Sequence, residues 1–168
     1  MNPDGELAGL MTRFPHTGTV EWIGTRPGRR APLVSRTRVK ALARQGLEGD
    51  HYSTRTNGKR QVSLIQAEHL QVVARLVGSE KVSPALLRRN IVVSGINLFA
   101  LRSRQFEIGG VLLEGTGVCE PCSRMEEVLG PGGYNAMRGH GGIVCRILTD
   151  GDIRLGDAVS AQIVSAQA

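Results

Sequence analysis

The stretch GTGVCEPCSRMEEVLG, residues 115–130, carries Cys119 and Cys122, two of the three cysteines in the chain, on either side of Glu120 and Pro121. A CxxC step serves three kinds of chemistry: a dithiol switch, half of a tetrahedral zinc site, or one thiolate that meets a soft metal or a sulfur atom. SRMEEVLG has the spacing of a short helix closed by Gly130 and Pro131, so Cys122 falls at or within its first turn. A helix start favours the thiolate, and Arg124 adds to this. Cys122 is therefore expected to be more reactive than Cys119 on the strand side. A thioredoxin-type switch needs a βαβ context that the pattern lacks. A zinc site needs two more ligands, and there is no second CxxC and no HxxxH. Cys145 and one of His16, His51, His69 or His140 are the available candidates. Cys145, however, sits in the alternating run GIVCRIL and reads as a core residue. The favoured reading is a single soft ligand, Cys122, that binds a metal or carries sulfur.

Three further islands combine polar residues with glycine. GLEGDHY (46–52) sets Asp50 and His51 after Gly49, where backbone amides can approach a ligand closely. LLRRN (86–90) puts Arg88, Arg89 and Asn90 at a helix-to-strand junction, and guanidinium groups beside an amide suit phosphate, carboxylate or an oxo-anion. RGHGGIV (138–144) offers Gly139, His140, Gly141 and Gly142 as a turn whose amides can cradle an anion. Arg29 and Arg30, in RPGRR, are expected to lie away from these islands.

The elements that must hold these residues are short. TGTVEWIGT reads as a strand ended by RPG, and PLVSRTRVKAL as a second strand. Residues 45–61 have no periodicity, and a loop that long inside a domain is usually functional or mobile. QVSLIQ is a strand and AEHLQVVARLVG a helix, with Leu70, Val73, Leu76 and Val77 at helical spacing. Ser83 as N-cap and Pro84 at the first helical position predict a two-turn helix over 84–89 before the strand IVVSG. QFEIGGVLLEGTGV reads as two strands broken at Gly109-Gly110. GGIVCRILTDG and DIRLGDAVSAQIV supply the last two. Strands do not alternate regularly with helices, so the pattern is mainly β, a closed or half-closed barrel with a few short helices.

Composition agrees with one domain. The chain has 168 residues, 40% hydrophobic, and aromatics at only 4% leave the core to Val, Leu, Ile and Ala. No apolar run approaches the roughly 20 residues needed to span a bilayer. The acidic start MNPDGEL is unlike a secretory signal, and three cysteines are too few for a disulfide scaffold, so reduced thiols in a cytoplasmic setting are expected. The net charge of +6 raises nucleic acid as a partner. The basic residues are scattered, without zinc-finger spacing, a basic heptad arm or an aromatic pair, so neither nucleic acid nor a membrane is expected.

In their order, GLEGDHY, QVSLI, RRNIVVSG, FEIGGVLLEGTGVCEPCSRME, GHGGIVCRIL and GDIRLGDAV resemble the MOSC domain, named for the C-terminal domain of molybdenum cofactor sulfurase. The resemblance runs from about Thr17 to Val164. Residues 1–16 read as a flexible leader, and the resemblance implies a MOSC domain at 17–165, with a barrel similar to the β-barrel domain of pyruvate kinase. The family's characteristic cysteine corresponds to Cys122. In members that reduce N-hydroxylated compounds, including the mitochondrial amidoxime-reducing components, it ligates molybdenum, which is otherwise held by the dithiolene of the molybdenum cofactor (molybdopterin). The implied site then has Cys122, Asp50 and His51 at the chemistry, with Arg88, Arg89, Asn90 and the turn Gly139, His140, Gly141 and Gly142 on the phosphorylated pterin. Electrons would come from a separate donor protein. The alternative implied by sulfurase-like members is a sulfur carrier with a persulfide on Cys122, loaded by a cysteine desulfurase.

Overall fold

In the computed structural model, which describes residues 5–54 and 57–162, the alternating run after Thr17 forms strand β1 (Gly18–Thr25), with Val20 and Ile23 buried. Helix α1 (Glu6–Met11) precedes it, inside the expected leader, and buries none of its residues. Residues 1–4 of that leader, 55–56 of the long polar stretch and the end of the domain from 163 lie outside the described residues. PLVSRTRVKAL, read as one strand, is two: β2 (Val34–Arg36) and β3 (Arg38–Leu42), which join different sheets. The long stretch that follows contains the short β4 (Gly46–Leu47) and a single 3-10 turn, His51–Thr54.

The chain continues with β5 (Val62–Gln66), α2 (Ala67–Leu76) and β6 (Ile91–Ser94), then β7 (Gln105–Ile108) and β8 (Val111–Val118). Next come α3 (Ser123–Leu129), α4 (Gly133–Met137), β9 (Ile143–Ile147), β10 (Gly151–Arg154) and β11 (Ala158–Ala161). The main sheet runs β11-β7-β8-β9-β5-β6-β1-β2, and β11 also pairs with β1, which closes seven strands into a barrel with β2 on its flank. A second sheet, β10-β3-β4, packs beside it. Every pairing is antiparallel except β5 with β6, and α2 is the crossover between those two.

Strand alternation sorts the apolar residues into two cores. Val62 and Leu64 of β5 and Ile91 and Val93 of β6 point into the barrel, where Phe106, Leu113 and Ile147 meet them. Their neighbours Ile65 and Val92 face outward, under α2, α3 and α4, and pack on Val73, Leu87, Met125 and Met137. Each fully buried aliphatic side chain contributes about 1.5–3 kcal/mol, so both faces of β5 and β6 hold these strands in place. Cys145 lies fully buried in the barrel, where desolvation first, then the charge of Cys119, pushes its thiol up.

The helix expected over 84–89 does not form. The amides of Leu86, Leu87 and Arg88 bond the carbonyls of Ser83, Pro84 and Ala85 in tight i to i−3 turns, and Arg88 then takes a left-handed φ of 58°. Leu87 must reach the outer core while Asn90 reaches back to β5, and a continuing helix satisfies neither.

Glu126 ties α3 to α4, its carboxylate accepting the amides of Gly132 at 2.8 Å and Tyr134 at 2.9 Å. The bond from Tyr134 first, then that from Gly132, holds this exposed carboxyl below its ordinary value near 4.5. A depressed carboxylate contributes stability above its unfolded value and loses it as pH falls through the folded one. We expect Glu126→Gln to flatten the fall of the thermal midpoint below pH about 4.5, relative to the wild type, in a melting series down to pH about 3.

Candidate functional site

Residues from five places in the chain come together beside β5. Arg26 follows the end of β1, Gln61 precedes β5 and Val62 and Ser63 open it, Asn90 precedes β6, Cys119 follows β8, and Val144 belongs to β9. They line a cavity of about 180 Å³ with Asp50, Arg60, Arg88, Arg89, Glu120 and Cys122. Cys122 is the N-cap of α3 and is exposed, whereas Cys119 is buried. An Arg60 guanidinium nitrogen lies 4.0 Å from the Cys119 sulfur.

Asp50, Asn90 and Ser63 of this lining share one polar network. The Asp50 carboxylate accepts the amide of Arg26 at 2.8 Å, the amide of Tyr52 at 3.2 Å and the Asn90 side-chain nitrogen at 3.1 Å. Asn90 also donates to the Gly24 carbonyl, and its side-chain oxygen accepts from the amide and the hydroxyl of Ser63. Asp50 and Asn90 are both buried. Their hydrogen bonds run to Arg26, Tyr52, Gly24 and Ser63, which makes them positioning residues for these segments.

Arg89 behaves differently. Its Nε donates to the Gly141 carbonyl at 2.8 Å and its Nη1 to the Leu87 carbonyl at 2.6 Å, but Nη2 has no partner. The same holds for Arg26 Nη1 and Gln61 Nε2. Of the four buried side-chain atoms left unpaired among the described residues, these three belong to lining residues of one cavity, and the fourth is Arg146 Nε. A buried donor without a partner costs about 1–3 kcal/mol, more when charged. All three belong to residues that line one cavity, a setting that suits a ligand with acceptor atoms.

A second, wider basin of about 580 Å³ adjoins this cavity and shares Arg26, Tyr52 and Arg88 with it. Arg29, Arg30, His51 and Arg124 complete its wall. The expectation that Arg29 and Arg30 stand apart is thus corrected: the Arg29 carbonyl accepts a long bond of 3.4 Å from Arg88 Nη2. Of the sequence candidates, Cys122, Asp50, His51, Arg88, Arg89 and Asn90 come together around the two cavities. The turn from Gly139 to Gly142 does not line either of them. Its Gly141 carbonyl anchors Arg89, and His140 packs edge-on to His69, with ring centroids 5.2 Å apart. Burial first, then the charge of His140, pulls His69 below its ordinary value of 6.5. Arg26, Arg60 and Gln61 escaped the sequence reading, because their membership depends on strand ends meeting in space. Among the described residues no three His, Cys, Asp or Glu side chains group to hold a metal ion, and no helix is long and apolar enough to cross a membrane.

The His69 shift has a consequence for pH. An imidazole whose folded value is depressed leaves the unfolded chain to take up the proton first, so stability is present above pH 6.5 and declines as pH falls from there. We expect His69→Gln to remove part of that decline, read as a smaller loss of thermal midpoint between pH about 7 and 5.

Comparison with known proteins adds a family and a fold. No curated protein matches the sequence. The chain superposes on the YuaD protein from Bacillus subtilis with a TM-score of 0.76 at 19% identity, covering 87% of this chain and 96% of that one. YiiM from Escherichia coli follows with a TM-score of 0.68 at 18% identity, over 91% of this chain and 73% of that one. YiiM from Geobacillus stearothermophilus gives 0.68 at 16%, over 89% and 77%. At these identities the likeness is one of fold. The MOSC domain family matches residues 48–160, most of the chain and nearly all of the cavity-lining positions, and the chain therefore belongs to the MOSC domain family.

Proposed function

We propose that the chain binds the molybdenum cofactor at this cavity, with Cys122 as the protein's ligand to the metal, and supports reduction of N-hydroxylated compounds with electrons from an external donor protein. The observation that carries the reading is the set of unpaired donors on Arg26, Gln61 and Arg89 beside one cavity that Cys122 also lines. A phosphorylated pterin is rich in acceptor atoms, and a soft, exposed thiol suits a molybdenum centre. The fit also extends to size, since the cavity and the adjoining basin together reach the range of small-molecule sites. When bound, the cofactor supplies two-electron reduction, by which an N-hydroxyl group, two electrons and two protons become an N–H group and water.

The chain's own residues bind and orient. Arg26, Arg88 and Arg89 offer charge-assisted donors to the anionic parts of the ligand. Asp50 and Asn90 hold Arg26 in place from behind. His51, on the basin wall, is the proton donor to the departing hydroxyl in this proposal. The test is to purify the full chain from a cofactor-producing host and measure molybdenum and pterin. We expect both in near-equal amounts, and Cys122→Ser to lower molybdenum about tenfold or more without changing the far-UV spectrum. Protein that carries neither and takes up neither refutes the reading.

Exposure of the Cys122 thiol, with Cys119 buried at the same cavity, favours a second reading, a sulfur carrier. Sulfane sulfur would pass from the persulfide of a cysteine desulfurase to the Cys122 thiolate, releasing the desulfurase thiol. Its sign is a mass gain of one sulfur atom that Cys122→Ser abolishes. A gain lost only on Cys119→Ser would assign the sulfur to Cys119 and refute Cys122 as its carrier.

A further inference from the structure

The wider basin gathers Arg26, Arg29, Arg30, Arg88 and Arg124 around a single opening, and no Asp or Glu lines it. None of the five takes part in an ion pair among the described residues: the pairs there use Arg38, Arg146 and Arg154. The buried carboxylate of the adjoining cavity, Asp50, accepts from two backbone amides and the Asn90 amide, and receives no bond from any of the five guanidinium groups. Arg26 is itself only 8% exposed and has an unpaired Nη1. Five like charges held around one opening repel one another, and a buried guanidinium without a partner is costly. Such an arrangement fits a ligand that brings more than one phosphate's worth of negative charge. A phosphate monoester carries about −1.5 to −2 at neutral pH. The deeper cavity already adds Arg60 and Arg89 against Asp50 and Glu120. One cofactor phosphate therefore leaves several guanidinium charges uncompensated, and these lie in the basin.

We propose that the basin binds a second anionic group, and that this group is a phosphate ester on the small-molecule substrate. Arg29, Arg30 and Arg124 form its outer wall, and the shared residues Arg26 and Arg88 place it next to the deeper cavity and Cys122. That the group is a second one rests on the cofactor reading. That the basin takes a phosphate-type anion does not.

Calorimetric titration of the full-length, cofactor-free protein with inorganic pyrophosphate tests the basin. We expect binding tighter than that of inorganic phosphate, weakened about tenfold or more by Arg29→Ala with Arg30→Ala, and likewise by Arg124→Ala. Arg38→Ala with Arg154→Ala, a pair that shares Asp152 on the second sheet, should leave it unchanged. No pyrophosphate binding, or equal loss from both pairs, overturns the basin as a site. Binding of a single-stranded oligonucleotide that exceeds pyrophosphate and rises with length overturns the small-molecule ligand in favour of nucleic acid. Repeating the titration on cofactor-loaded protein tests the second group. Retained pyrophosphate binding supports it, whereas full displacement assigns the basin to the cofactor's own anionic end and overturns it. Cys122→Ser separates the two readings, because it should lose molybdenum and keep pyrophosphate.

Discussion

Asn90→Ala is expected to destabilise the protein by about 3–5 kcal/mol, through the unpaired groups it leaves behind more than through the volume removed. The Asn90 amide makes four contacts: its nitrogen donates to the Gly24 carbonyl at 3.2 Å and to Asp50 at 3.1 Å, and its oxygen accepts from the Ser63 amide at 3.1 Å and the Ser63 hydroxyl at 3.0 Å. Truncation removes a bond to a buried carboxylate, worth about 1.5–3 kcal/mol, and strands buried or half-buried groups at about 1–3 kcal/mol each, with partial rescue by water. For a domain of this size the thermal midpoint should fall by roughly 6–20 °C. Asn90→Asp should be no milder, since it replaces the donor to Asp50 with a like charge. A fall of only a degree or two would mean that Asn90 faces a ligand and does not brace Asp50 and Ser63. Because Asp50 also accepts the Arg26 amide, the surviving fold should bind pyrophosphate less well than the wild type.

This role for Asn90 was hidden in the sequence for a physical reason. Its partners stand 27, 40 and 66 positions away, on β5, the loop after β4 and β1, and no local pattern links them. What local patterns do encode was legible. Alternation marked β1, the Gly109-Gly110 step separated β7 from β8, and SRMEEVLG gave α3 with Cys122 at its start. Ser83 and Pro84 carried an equally good helix signal, yet the helix is absent, because Leu87 and Asn90 are drawn in different directions by the outer core and by β5. PLVSRTRVKAL likewise reads as one strand until β10 competes for its second half, pairing with Arg38 to Ala41 while β1 takes Val34 to Arg36. Closure of the barrel by β11 on β1 joins the two ends of the fold and leaves no mark in either segment.

The candidate site divides along the same line. Residue type pointed to Cys122 and to Arg88 and Arg89 as a pair. The structure gives them separate tasks: Arg89 is 6% exposed and braces two backbone carbonyls, and Arg88 sits between the cavity and the basin. Loss of stability on Arg89→Ala therefore says nothing against a ligand at its unpaired Nη2. Arg26, Arg29 and Arg30 looked like a solvated turn because their neighbours in the basin, His51, Arg88 and Arg124, are distant in sequence.

Gly142→Ala should be the most damaging single methyl in the chain, costing about 4 kcal/mol or more and leaving little folded protein. Two independent effects add. Gly142 has a φ of 84°, a left-handed conformation that costs an L-residue roughly 1–2 kcal/mol. A Cβ there would also overlap the Leu64 carbonyl oxygen and come within 2.8 Å of its carbon. Neither side can yield. Leu64 is fully buried on β5, and the next residue, Ile143, is in register with it as β9 begins. Shifting the turn would also move the Gly142 carbonyl that accepts the Cys119 amide at 2.9 Å, and with it the approach to Cys122. Gly139 supplies the contrast. Its φ is 78°, but nothing lies within 4 Å of an added Cβ, so Gly139→Ala should cost only the conformational part, about 1–2 kcal/mol. Gly141 is the intermediate test, with an ordinary φ but a Cβ that would strike the Cys119 carbonyl and approach Arg89 Nη2 to 3.2 Å. Urea unfolding of the three alanine variants should rank Gly142 first, Gly141 second and Gly139 last. If the turn were mainly an open cradle of amides, Gly142 and Gly139 would lose only the same conformational part, about 1–2 kcal/mol, and Gly141 least of all, since a methyl would then meet only solvent.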